Sequence, residues 1–142
     1  MTPDLNATSP LARAQQLREQ GESARRQDGA TARKCYEEAV ALLREVGDPL
    51  TLAHVVRHLG DVYVEQGSVA LAEPCYLEAL RLYRSHPGAP SLNLANAIRS
   101  LAVLRWEQSR ALWQEVRGLY TTLGIESGIQ ESSVRVAALT AQ

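Results

Sequence analysis

Between Leu52 and Tyr83 the sequence LAHVVRHLGDVYVEQGSVALAEPCYLEALRLY reads as two amphipathic helices folded back on each other at Gly67. Small and aromatic residues stand at set intervals along it: Leu59, Gly60, Tyr63, Gly67, Ala72, Tyr76 and Ala79. Gly67 supplies the backbone freedom that a helix C-terminus needs, and Ser68 is placed to cap the second helix of the pair. Gly60 and Ala72 let the paired helices approach closely, while Tyr63 and Tyr76 fill the space beside them. The spacing recurs, because Ala32, Tyr36 and Ala39 precede Ala72, Tyr76 and Ala79 by 40 residues each. A hairpin repeated at this period buries its apolar face against its neighbours, so the pattern constrains the whole chain.

Taken in order, residues 1–8 are polar and are expected to be disordered. Ser9-Pro10 is a capping residue followed by proline, which predicts a helix from there to about Arg26. Asp28-Gly29-Ala30-Thr31 reads as a turn before a second helix that runs to about Val46. Gly47-Asp48-Pro49 stops one helix and starts the next, with Asp48 as N-cap. Pro74 removes a hydrogen bond within its helix and should bend it slightly. The cluster from Ser85 to Pro90 breaks the chain again, and Ser91 is placed to cap the next helix.

The segment LANAIRSLAVLRWEQS, Leu94 to Ser109, repeats LAHVVRHLGDVYVEQG at an offset of 42 and supplies the first helix of a third hairpin. In its partner, Trp113, Val116, Leu119 and Tyr120 align with Tyr76, Ala79, Leu82 and Tyr83 at an offset of only 37, five residues short. No Gly or Pro marks a reversal between Leu101 and Arg117. Continued as one helix of about 30 residues, the segment would place Leu101, Leu104, Gln108, Leu112, Val116, Leu119 and Leu123 on one stripe. Alternatively, a turn too short to close within one chain favours exchange of the later elements, from about Ala111 onward, between two chains in a homodimer. After Gly124, residues 126–140 read as a terminal capping helix with Ile129, Ser133, Val136 and Ala137 on one face.

These positions resemble the tetratricopeptide repeat, whose Leu-Gly, Tyr, Ala, aromatic and Ala pattern is matched in the second hairpin. AEPCYLEAL is similar to the longer repeats of the kinesin light chain type. The resemblance covers nearly the whole chain from residue 10 and implies an all-α fold, a right-handed superhelix of about three hairpins. Its units are repeats at about 10–47, 48–88 and 91–124 with a capping helix at 126–140, one domain over residues 9–142. It also implies a non-catalytic scaffold for protein–protein interaction. In such arrays the first helix of each pair lines a concave groove. The inward positions carried over are Gln15, Arg18, Glu22 and Arg25, then His54, Arg57, Asp61 and Val64, then Asn96, Arg99, Val103 and Trp106. The first repeat departs from the pattern at Gln20, where Leu is expected.

Arg18, Arg57 and Arg99 share one repeat position, a ladder suited to acidic side chains or a peptide C-terminal carboxylate. Arg18, His54, Arg57, Asp61, Asn96, Arg99 and Trp106 are therefore the candidate peptide-binding residues, Trp106 as an apolar anchor. Against this, Arg18 with Glu22 and Arg57 with Asp61 are pairs four residues apart that can neutralise each other on a solvated face. A structural homodimer without a peptide ligand is the alternative.

Other chemistries fit less well. No Ser-His-Asp set stands in a supporting context, no Gly-rich phosphate loop follows a strand, and no strand signal occurs, so neither an enzyme nor a cofactor is expected. His54, His58 and Asp61 fall on neighbouring turns of one helix and form a weak metal candidate, outweighed by a reading as polar groove residues. Cys35 and Cys75 are too few and too far apart for a disulfide scaffold and read as small core residues. A net charge of -1 argues against nucleic acid or an anionic membrane as partner. No apolar run reaches the roughly 20 residues of a membrane span. MTPDLNATSP lacks the basic start and apolar core of a secretory signal, so a cytoplasmic protein is the expectation.

Overall fold

The computed structural model of the chain describes residues 8–105 and 109–141, which form seven α-helices. They are α1 (Pro10–Ala24), α2 (Gly29–Val46), α3 (Pro49–Glu65), α4 (Val69–Ser85), α5 (Ser91–Leu104), α6 (Arg110–Leu123) and α7 (Glu126–Thr140). Local chemistry sets most of their ends. The Ser9 hydroxyl accepts the Ala12 N–H at 3.2 Å ahead of Pro10. Asp48 accepts the Thr51 N–H at 3.2 Å, and Asp28 does the same for Thr31 at 3.1 Å. The expected turn at residues 28–31 is therefore tighter than its composition suggests, since α2 starts at Gly29 with Asp28 as its cap. Gly67 takes φ 75, and the N–H of Ser68 closes on the Tyr63 carbonyl at 2.7 Å. Two expected caps are not made. Ser68 stands at the N-cap of α4 without a side-chain bond, and Ser91 is already the first residue of α5, behind Pro90. Pro74 lies inside α4, which runs through it.

Successive helices pack on one another: α1 on α2, α3 on α4 and α5 on α6 as hairpins, with α2 on α3, α4 on α5 and α6 on α7 as the joints. The continuous helix considered for residues 101–123 does not form. α5 ends at Leu104, the Arg105 N–H bonds the Leu101 carbonyl at 2.9 Å, and α6 starts at Arg110 and packs on α5 of the same chain. Packing makes this reversal without glycine: Trp113 and Val116 are fully buried by it. An ion-pair ladder confirms the register of α6. Arg44 on α2 pairs with Glu78 on α4 at 2.6 Å, and Arg84 on α4 pairs with Glu115 on α6 at 2.8 Å. These partners follow the same two offsets as the aromatic residues, although exposed pairs of this kind contribute little stability.

The core runs along the helix interfaces and is rich in alanine: Ala32, Ala39, Ala53, Ala72, Ala79, Ala95, Ala97 and Ala102 are all fully buried. A very close approach is at Gly60, where an added Cβ would stand 2.6 Å from the Tyr76 ring. α7 repeats the device, with Gly128 at 2.6 Å from the ring of Tyr120. Its buried stripe is Gly128, Ser132 and Val136, one position away from the expected Ser133 and Ala137, because only small residues fit this close to Tyr120. Ser132 is tolerated there because its hydroxyl donates to the Gly128 carbonyl at 2.6 Å.

Two glycine substitutions test this packing. Gly60→Ala is expected to lose about 1–3 kcal/mol to overpacking, more than the ~1 kcal/mol that helix propensity returns. Gly118→Ala, in α6 with nothing within 4 Å of the added carbon, should gain up to ~1 kcal/mol. Urea unfolding of both variants measures the contrast, and equal stability for Gly60→Ala and wild type would contradict the close contact.

Candidate functional site

Residues three or four apart on one helix share a face, and α3 uses this to present His54, Arg57, Asp61 and Val64 together. Beside it α5 carries Asn96, Arg99 and Val103. A cleft of about 720 Å³ gathers Arg57, Asp61, Asn96 and Arg99 with Arg25 of α1 and Arg135 of α7. Its apolar part is Val64, Val69, Val103 and Leu104, of which the three valines are 40–48% exposed. Arg18 and His54 do not reach this cleft. They line a smaller pocket of about 160 Å³ with Glu22, Arg25, Tyr36 and His58. Trp106, the expected apolar anchor, lies outside the described residues.

The charges of the cleft are wired to the core. Tyr76 is buried against Gly60, and its hydroxyl donates to Asp61 Oδ1 at 2.7 Å. Burial first, and then this bond to a carboxylate, raise the Tyr76 phenol far above its usual range. The other oxygen of Asp61 accepts from Arg57 Nη1 at 3.3 Å. The Nη2 of Arg57 contacts His58 Nε2 at 3.1 Å, and Arg57 Nε is buried without a hydrogen-bond partner among the described residues. In the same way Tyr120 donates to Asn96 Oδ1 at 2.8 Å.

α7 contributes more than a cover. Glu131 takes a bidentate pair of bonds from Arg99 at 2.7 and 2.8 Å, which raises the guanidinium and holds the carboxyl below its ordinary range. Arg25 donates to Glu65 at 2.9 and 3.0 Å and lies 3.9 Å from Asp61. Sequence reading misses Glu131, Glu65 and Arg135, because no spacing rule links them to α3 and α5. The 40-residue offset separating Arg25 from Glu65 is the one available signal.

The imidazoles behave as neutral groups. Burial, and next the Arg57 cation, push His58 down to about 3, and the same causes lower His54. Since Arg57 can only donate, Nε2 of His58 is the acceptor and Nδ1 carries the proton. That Nδ1 is buried, unpartnered, and 3.7 Å from Asp61 Oδ2. The His54 and His58 rings meet edge to face at 4.6 Å. Among the described residues no group of three or more His, Cys, Asp or Glu is placed to hold a metal ion. Cys35 and Cys75 are buried free thiols, and burial pushes Cys75 up to about 11, far from a reactive thiolate.

Residues 17–84 match the family model described as tetratricopeptide repeat. Comparison with the curated proteins returns no match. No helix among the described residues is long and apolar enough to cross a membrane.

The neutral state of His58 makes a pH prediction. Its folded pKa lies below the unfolded value of 6.5, so between about 3 and 6.5 the unfolded chain binds the extra proton. The contribution is complete above about pH 6.5 and is lost as the pH falls. Between pH 7.5 and 5.5 the wild type is expected to lose about 1 kcal/mol more than His58→Gln, as read by urea denaturation. Parallel losses in the two proteins would refute the assignment.

Proposed function

We propose that the chain, whose residues 17–84 match the tetratricopeptide repeat, is a non-catalytic scaffold holding an acidic segment of a partner protein in the cleft beside α3 and α5. Tetratricopeptide repeats generally mediate protein–protein interaction. One observation carries the finer reading: a chain of net charge -1 lines this cleft with four arginines, Arg25, Arg57, Arg99 and Arg135, against Asp61 and Glu65 in the cleft and Glu131 bonded to Arg99. Arginine offers a planar fork that carboxylates fit. The exposed Val64, Val69 and Val103 give an aliphatic side chain of the segment a place beside these cations. Arg18 and His54 belong to a separate pocket, so the peptide-binding set narrows to Arg57, Asp61, Asn96 and Arg99 with Arg25 added. The free thiols of Cys35 and Cys75 fit a reducing compartment, and the cytoplasm is the proposed location.

Self-association by exchange of α6 and α7 is the second reading, supported by the five residues that the third hairpin lacks relative to the second. The α5–α6 contact that buries Trp113, Val116 and Tyr120 is the same whether one chain or two make it.

Two measurements test these readings. Peptides selected on the folded chain are expected to carry Asp, Glu or a free C-terminus next to Leu, Ile or Val. Arg57→Ala combined with Arg99→Ala should weaken them by roughly tenfold or more, and Val103→Asp should do so independently. Unchanged affinity in the double variant removes the acidic-segment reading. Sedimentation velocity tests the second reading, and a monomer at high concentration removes exchange. A dimer that reverts to monomer when five turn residues are inserted after Gln108 would establish exchange instead.

A further inference from the structure

The small pocket enclosed by α1, α2 and α3 is not used by the peptide reading. Its wall holds Arg18, Glu22 and Arg25 from α1, Tyr36 from α2, and His54 and His58 from α3, around a volume of about 160 Å³. Tyr36 is only 2% exposed, yet its hydroxyl makes no hydrogen bond to any described residue. The equivalent Tyr76 spends its hydroxyl on Asp61. The Tyr36 ring is buried but its oxygen is not sealed from solvent, so this donor stays open to a molecule entering the pocket.

Arg18 is in the same condition. Its nearest carboxylates, Glu22 and Glu19, lie 3.6 and 3.9 Å away, beyond hydrogen-bond distance, and both are 70% exposed. Arg57 and Arg99, at the same repeat position, are hydrogen-bonded. The interior of the pocket is positive. Burial and then Arg57, His54, Arg25 and Arg18 all disfavour a proton on His58, whereas Glu22 acts only weakly on His54. Arg25 itself is committed to Glu65 and contributes its field rather than a free bond.

We propose that this pocket binds the phosphoryl group of a phosphate monoester, with Arg18 and the Tyr36 hydroxyl as its direct donors and His54 beside them. The donors arrive from three helices on different sides. Three oxygens spread around phosphorus meet them, whereas a carboxylate presents its lone pairs in a single plane. Glu22 stands at the rim as a competitor for Arg18, so its charge weakens the site. The site is independent of the acidic-segment reading, because it shares only Arg25 with the larger cleft.

Titration with phenyl phosphate, followed by calorimetry and by the NMR signals of Tyr36 and His54, tests the proposal. Saturable binding is expected, weakened roughly tenfold by Arg18→Ala and severalfold by Tyr36→Phe, and strengthened by Glu22→Gln, each variant first checked for unchanged melting. Benzoate is the control. Benzoate binding as tightly as phenyl phosphate, no saturation at millimolar phenyl phosphate, or indifference to both Arg18→Ala and Glu22→Gln would overturn it. A phosphoserine peptide binding at least tenfold tighter than inorganic phosphate assigns the site to a phosphorylated segment. Equal affinities assign it to a free monoester. Arg99→Ala alone, which removes neither a wall residue nor a charge acting on His54 or His58, should weaken the acidic segment but leave phenyl phosphate binding within about twofold, so failure of one site is distinguishable from failure of the other.

Discussion

A helix can come within ring contact of its partner only where one of them has no side chain, and the hairpins depend on that condition. At Gly60 the missing Cβ leaves room for Tyr76, whose ring would otherwise meet it at 2.6 Å. Gly21 under Tyr36 and Gly128 under Tyr120 are looser and equal versions of the same contact, at 3.1 and 2.6 Å. The contact does more than close the core. Because Tyr76 lies this deep, its oxygen reaches Asp61 on the concave side, and Asp61 then orients Arg57. Tyr120 connects the core to Asn96 by the same route. In each case the ring belongs to the interior and the hydroxyl to the groove, so a packing residue fixes the direction of a groove residue.

Features set by neighbours in sequence are legible in the sequence, and features set by distant contacts are not. The caps at Ser9 and Asp48, the glycine turn at Gly67 and the 40-residue spacing of Ala32, Tyr36 and Ala39 depend on local backbone chemistry and period alone. Asp28 escapes notice as a cap although it heads Asp-x-x-Thr, as Asp48 does, because the glycine after it suggests a longer turn. The reversal after Leu104 carries no glycine or proline. Arg105 ends the helix at φ -101 and ψ 47, an ordinary residue placed there by the burial of Trp113 beyond it. In α7 the hydrophobic pattern points to Ile129 and Ala137, whereas the short distance to Tyr120 selects Gly128 and Ser132. Apolar periodicity measures how greasy a face is, not how close its neighbour stands.

The candidate site divides along the same line. Residue types at the groove positions come from the repeat, and the cleft does collect Arg57, Asp61, Asn96 and Arg99. The groups that neutralise them do not. Glu131 lies 32 residues beyond Arg99 and reaches it only because α7 folds back on α6. The covering helix is thus also part of the groove wall, and it places one carboxylate and one further arginine beside Arg99 and Arg57.

Three arginines at one repeat position have three different energetic situations, and the difference decides how each can serve a ligand. Arg99 and Glu131 are both partly exposed, at 41% and 29%, so water can replace either partner at modest cost. Arg18 faces carboxylates that are mostly in solvent and holds no bond to break. Arg57 is only 14% exposed, and its partner Asp61 is tied in turn to the buried Tyr76. Pulling Asp61 away would leave a phenol and a guanidinium short of partners in a partly dry site, at roughly 1–3 kcal/mol for each group. The Arg57 Nε–H is itself buried, so the Arg57–Asp61 pair is the hardest of the three to open. Of the three, Arg18 and Arg99 therefore carry the freer charge.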